Sequence, residues 1–99
     1  GTSYIVSEKR GKVFEGDITT IARELPNSVL RLQVEQHALN HVTLRYIPDA
    51  KRFQPKHEQI LLNEMRKLLG SEMKIVLEPV EHVKQEPNGK TLIVKQSMK

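Results

Sequence analysis

The chain has 99 residues, 37% of them hydrophobic and none of them Trp, which allows one small domain with a Leu, Ile and Val core that buries roughly 65% of the surface the unfolded chain exposes. It has no cysteine, which excludes disulfides, thiolate zinc sites and thiol nucleophiles, and it has no apolar run near the roughly 20 residues that span a bilayer. Lysine and arginine number 16 against 12 aspartate and glutamate, a net charge of +4, spread thinly enough to favour anionic partners in general and no one class of them.

No signal-peptide pattern opens the chain, so the expected location is the cytoplasm. The first stretch, "SYIVSEKRGKVF", predicts a short hairpin with strands at Tyr4–Val6 and Lys12–Phe14 and a polar loop from Glu8 to Gly11. In "EGDITTIARELPN", Ile18, Ile21, Ala22 and Leu25 recur with helical spacing, with Asp17 as N-cap and Pro26 as stop. "VLRLQVEQ" alternates as a strand, with Leu30, Leu32 and Val34 on one face and Arg31, Gln33 and Glu35 on the other. "HVTLRYI" repeats the pattern through Val42, Leu44 and Tyr46, and the short link containing Asn40 predicts an antiparallel pair.

"PKHEQILLNEMRKLLG" is the clearest helix. Pro55 suits its first turn, Leu61, Met65, Leu68 and Leu69 share a face, Arg66 and Lys67 complement its dipole, and Gly70 ends it. "MKIVLEPV" predicts a third strand through Met73, Ile75 and Leu77. A turn-rich loop and an apolar tail, Leu92 to Val94, close the chain. The expected fold is α+β: a three-stranded sheet, made of a β-hairpin plus one strand, packed with two helices and preceded by the N-terminal hairpin. There is no internal repeat, low-complexity segment or linker.

Four sets of residues invite chemistry. "PNGKT" ends like a phosphate loop, but Lys84 stands where the earlier glycine of that motif belongs, and Thr91 to Val94 reads as extended rather than helical. His37 and His41 flank the hairpin link while His57 and His82 lie elsewhere, so no metal site is expected. No serine sits in a nucleophile-elbow pattern. The lysine of "EPNGK", Lys90, reads on its own as a solvated cation beside a Pro-Asn-Gly turn.

The chain-wide order says more. "SYIVSEKRGKVFEGDITTIARELP", "LQVEQHALNHVTLRYIPD" and "VEHVKQEPNGK" resemble, in sequence order, the hinge-side hairpin and first helix, the central hairpin, and the closing "V-x-x-I-P-R-E-P-S-G-K" loop of the C-terminal domain of adenylate-forming enzymes. The likeness is greatest to the phenylacetate–coenzyme A ligase and capsular polysaccharide biosynthesis (CapK-like) branch. It covers most of the chain. Two departures stand out: "GTSYIV" lacks the charged pair usual at the hinge, and Val83-Lys84-Gln85 replaces Ile-Pro-Arg.

The resemblance implies a division of the chain into a hinge-side hairpin (1–15), an α-β-β-α-β core (16–80) and a catalytic-lysine loop with its tail (81–99). It implies that Lys90 is the catalytic residue of carboxylate adenylation, with Asn88 and Gly89 in its substrate-facing loop. Lys9, Arg10, Gly11 and Lys12 would form the hairpin face for thioester formation. It further implies a mobile C-terminal lid of an AMP-forming acyl–coenzyme A ligase. ATP with Mg and coenzyme A would be bound mainly by an N-terminal adenylation domain of the same parent chain. A carboxylic acid is the substrate, and the 99-residue chain is expected to be an excised, inactive piece that starts at the hinge. No membrane partner is expected. The other reading is a small α+β binding or regulatory module. That module would take a nucleic-acid or protein partner and perform no catalysis, with nucleic acid the less expected of the two, since Tyr46 is the only aromatic in the three strands.

Overall fold

The computed structural model describes residues 3–98, and Gly1 and Thr2 of the expected hinge lie outside them. The N-terminal hairpin consists of β1 (Ile5–Ser7) and β2 (Gly11–Val13). Ile5 pairs with Val13 and Ser7 with Gly11, so the ladder extends closer to the turn than expected and Tyr4 and Phe14 fall outside it.

Helix α1 (Glu15–Ala22) buries Ile18 and Ile21. Asp17 is not its N-cap. Phe14 holds that position in an extended conformation, and Asp17, three residues on, accepts the Phe14 N–H at 3.0 Å. An acidic residue in the first turn still suits the positive helix end. A tighter turn carries the chain to Leu25, whose N–H donates to the Ala22 carbonyl at 3.1 Å and which is itself buried. Pro26 prevents continuation, and Asn27, at φ 69°, redirects the chain.

Strands β3 (Val29–Ala38) and β4 (His41–Pro48) form the expected antiparallel pair, with Leu32 opposite Tyr46, Val34 opposite Leu44 and Gln36 opposite Val42. Leu30 departs from the expected core face. A register shift between Val29 and Arg31 interrupts the alternation, so Val29 is buried while Leu30 is 48% exposed. Helix α2 (Pro55–Leu69) carries Pro at its start, and the N–H of Gly70 donates to the Arg66 carbonyl at 2.8 Å at its end. Leu61 and Met65 are fully buried, each contributing about 1.5–3 kcal/mol. Strand β5 (Lys74–Pro79) then runs parallel to β4.

The sheet has four strands, not three. The apolar tail leads into β6 (Val94–Gln96), which pairs in parallel with β3, giving the order β5-β4-β3-β6 beside the separate two-stranded hairpin. Three residues carry too little alternation to announce a strand, and their partners Val34, Glu35 and Gln36 are remote in sequence. One face of the sheet, through Leu32, Val34, Val42, Leu44, Tyr46 and Val94, meets α1 and α2 in a single core that also takes Ile5 and Val13 from the hairpin. The other face is polar, carrying Gln33, Glu35, Thr43 and Arg45.

Candidate functional site

Between β5 and β6 the chain turns back on itself. Gln85 bridges Thr91, and the Leu92 N–H donates to the Lys84 carbonyl at 3.0 Å. Inside these rungs, the Glu86 N–H donates to the Lys90 carbonyl at 2.7 Å and the Gly89 N–H to the Glu86 carbonyl at 2.9 Å. Pro87, Asn88 and Gly89 therefore form a three-residue loop in which Gly89 takes the left-handed conformation, at φ +87°. The sequence pattern permits positive φ at both Asn88 and Gly89, yet only Gly89 adopts it. Asn88 instead accepts the Lys90 N–H through Oδ1 at 3.1 Å, and Pro87 suits the preceding turn position.

Lys90 is exposed at the end of this loop, and its ammonium joins no ion pair among the described residues. The chain beyond it enters a strand, not a helix, so the loop lacks the helix N-terminus on which a phosphate loop depends. A groove beside it is lined by Leu30, Arg31, His82, Val83, Gln85 and Thr91.

The second set of expected residues sits on the N-terminal hairpin. Lys9, Arg10, Gly11 and Lys12 are all exposed, and Gly11 turns the chain at φ +76°. Ser7 organises the loop. Its buried hydroxyl donates to the Leu69 carbonyl at 3.0 Å while accepting the N–H groups of Lys9 and Arg10 at 3.2 and 3.3 Å. The Lys9 ammonium donates to the Lys67 carbonyl at 2.9 Å, near the α2 C-terminus, as the helix dipole favours. Arg10 stands 3.8 Å from Asp17, and the Lys12 ammonium lies 4.7 Å from the Tyr4 ring centroid. The structure thus groups Asn88, Gly89 and Lys90 in one turn and Lys9 to Lys12 in another. No hydrogen bond or ion pair joins the two sets among the described residues.

What holds the Lys90 loop in place was not visible in the motifs. The Val34 N–H donates to the Ile93 carbonyl at 2.7 Å and the Gln33 side-chain amide to the Leu92 carbonyl at 3.0 Å. Glu35, on the polar face, accepts from the Ser97 hydroxyl at 2.5 Å and from Arg45 at 2.7 Å, with Lys95 at 3.7 Å. The Ser97 hydrogen bond, with those cations, holds its carboxyl down at about 2 against the opposing effect of burial. Arg45 also reaches Gln33 at 3.2 Å and Glu78 at 3.5 Å. A partly periodic signal existed: Gln33, Glu35, Arg45 and Lys95 alternate with apolar residues, but their contacts depend on strand order.

The histidines do not converge. The His37 and His41 rings lie 4.8 Å apart across the hairpin turn, and His37 Nε2 is 2.8 Å from the Thr43 hydroxyl. Among the described residues no group of three His, Cys, Asp or Glu could hold a metal ion, and no helix is long and apolar enough to cross a membrane.

Comparison with protein families decides the relationship. The family model described as the CapK C-terminal domain matches residues 5–97. The chain belongs to the CapK C-terminal domain family. The match runs from the hairpin that carries Lys9 to Lys12, through both helices, to the strand that follows Lys90. No curated protein and no solved structure matches the chain.

Proposed function

We propose that this CapK C-terminal domain is the mobile lid of an AMP-forming acid–thiol ligase of the phenylacetate–coenzyme A ligase type, with Lys90 as its catalytic residue. The observation that carries the reading is the placement of Lys90. An exposed ammonium with no ion-pair partner among the described residues stands at the end of a three-residue turn that is closed by hydrogen bonds at its base. Such a turn can enter a cleft in another domain without unfolding. Tyr46 speaks against a nucleic-acid-binding sheet, because it is buried at 1% exposure in the core and offers no stacking platform.

The chemistry asks for such a cation. A carboxylate substrate attacks the α-phosphorus of ATP and pyrophosphate departs, so negative charge lies on both reactants. The Lys90 ammonium, placed against the carboxylate and a phosphate oxygen, lowers their repulsion and aligns them without forming a bond. A compact point charge on a long stem suits the task. ATP with its Mg, coenzyme A and the acid substrate are assigned mainly to an N-terminal adenylation domain of the same parent chain, in the cytoplasm. For thioester formation the lid turns, withdrawing Lys90 and presenting the hairpin of Lys9, Arg10, Gly11 and Lys12, a hinged closure of the kind other multi-step enzymes use.

The test is Lys90→Ala in a parent chain that includes the adenylation domain. Pyrophosphate exchange should fall by on the order of 10²–10³, as it does when a transition state is deprived of one oriented electrostatic interaction. Thiol consumption starting from pre-made acyl-adenylate should stay near the unmodified rate. An equal fall in both rates would refute the alternation of poses, and no fall in either would leave Lys90 an ordinary surface lysine.

A further inference from the structure

We propose that Gln36 is a positioning residue that locks the N-terminal hairpin to the strand carrying the Lys90 loop, so that the two working faces turn as one body. The functional half of this statement rests on the lid reading above, whereas the mechanical half does not. Gln36 follows Leu32 and Val34 on the core-facing side of β3 and is fully buried. An apolar side chain is the ordinary occupant of such a position, since a buried amide is unfavourable unless its donor and acceptor are both satisfied.

Both are satisfied here, and by different elements. The Val6 N–H donates to Gln36 Oε1 at 2.9 Å, while Gln36 Nε2 donates back to the Val6 carbonyl at 3.0 Å. The side-chain amide thus pairs with β1 as a neighbouring strand's peptide group does. This matters because the hairpin forms its own two-stranded sheet, separate from the four-stranded one. Gln36 Oε1 accepts a second hydrogen bond from Gln96 Nε2 at 2.7 Å, and that nitrogen also lies 2.9 Å from the Tyr4 carbonyl. The main-chain carbonyl of Gln36 takes the Ser97 N–H at 3.0 Å, and Nε2 reaches the Leu39 carbonyl at 3.4 Å.

One residue therefore ties together β1, β6 and the β3–β4 turn. The polar anchors of the hairpin loop, Ser7 to Leu69, Lys9 to Lys67 and Arg10 to Asp17, reach only the two helices. Without the Gln36 amide the hairpin would keep its core contacts and these helix-side anchors, and the strand that continues from Lys90 would hold only the Tyr4 carbonyl ahead of β1, through Gln96. Rotation of the lid between two poses requires the Gln36 connection, because a hairpin free to swing would not arrive in register when Lys90 withdraws.

Amide hydrogen exchange on the 99-residue chain tests the coupling, with Gln36→Leu and the more peripheral Gln96→Leu as variants. In Gln36→Leu the Val6 amide should exchange about tenfold faster or more, after allowing for any change at Val42 and Leu44 in the central strand. In Gln96→Leu, which removes the bonds to Gln36 Oε1 and to the Tyr4 carbonyl but leaves both Gln36–Val6 bonds their partners, the Val6 amide should still speed up by about threefold or more. Equal acceleration at Val6, Val42 and Leu44 would make Gln36 a general stability residue and overturn the proposal. So would a Val6 rate unchanged in Gln96→Leu. Failure of the Lys90→Ala test with the exchange pattern intact would sink the lid reading while leaving the mechanical coupling in place.

Discussion

Glu35 lies on the sheet face that carries no helix, yet it is only 8% exposed because Ser97, Arg45 and Lys95 close over it. The Ser97 hydroxyl is the largest single cause of its low pKa, followed by Arg45 and Lys95, and together they outweigh burial and bring it from 4.5 to about 2. A carboxyl whose folded pKa is depressed stabilises the folded state fully above its unfolded pKa. It loses that contribution as pH falls through the interval down to the folded value. For Glu35 the interval runs from about 4.5 to about 2, and the contribution at neutral pH is about 3 kcal/mol. Urea unfolding should therefore show Glu35→Gln less stable than the unmodified chain at pH 7, with the gap closing as the pH approaches 2. A gap of constant size would mean the Ser97 and Arg45 contacts do not set the acid response. The alternation of β3 assigned Glu35 to the polar face but said nothing of its partners. Ser97 and Lys95 reach it only because β6 lies beside β3, and the polarity of Gln36 at a core-facing position carries no label of its own.

At the scale of elements, the long, strongly periodic segments were legible, and the short ones only where a turn residue marked them. α2 declared itself through Pro55, the Leu61–Met65–Leu68–Leu69 stripe and Gly70. β6 did not, since three residues gain their identity from a partner strand far back in the chain. The bulge that expels Leu30 was hidden because alternation continues in the sequence while the backbone register shifts. The N-terminal hairpin was legible through Gly11, whose φ of +76° supplies a sharp test. Proline is fixed near −65°, so Gly11→Pro should distort the loop that presents Lys9, Arg10 and Lys12. In a parent chain, thioester formation should fall by about 10²-fold, as misplacement by about 1 Å does, while pyrophosphate exchange changes by less than about threefold. Gly11→Ala, with a milder strain of roughly 1 kcal/mol, should show the same ordering at smaller size. Greater damage to pyrophosphate exchange than to thioester formation would remove the hairpin from the second half-reaction.

The whole molecule is a helix-covered four-stranded sheet with an exposed turn and an exposed hairpin, each held by polar contacts to the same central strand or its neighbours. Its net charge of +4 and free Lys90 offer a nucleotide attraction but not a cradle. The sequence "PNGKT" closes as a three-residue turn between Glu86 and Lys90, so two of its four N–H groups, those of Gly89 and Lys90, are spent on the Glu86 carbonyl and the Asn88 side chain. Nothing gathers several main-chain donors around one phosphate in the way a phosphate loop does. A single mobile cation in water is worth little, since its Coulomb energy with a phosphate at about 4 Å is about 1 kcal/mol per charge pair before screening. Titration of the 99-residue chain with ATP and Mg by calorimetry should therefore give no saturable heat in the micromolar range, about 8 kcal/mol of binding free energy. Lys90→Ala should not alter that result. Micromolar binding that disappears in Lys90→Ala would show that the turn recognises nucleotide unaided. The domain would then act as a binding module in its own right, not as a lid that meets its nucleotide on another domain.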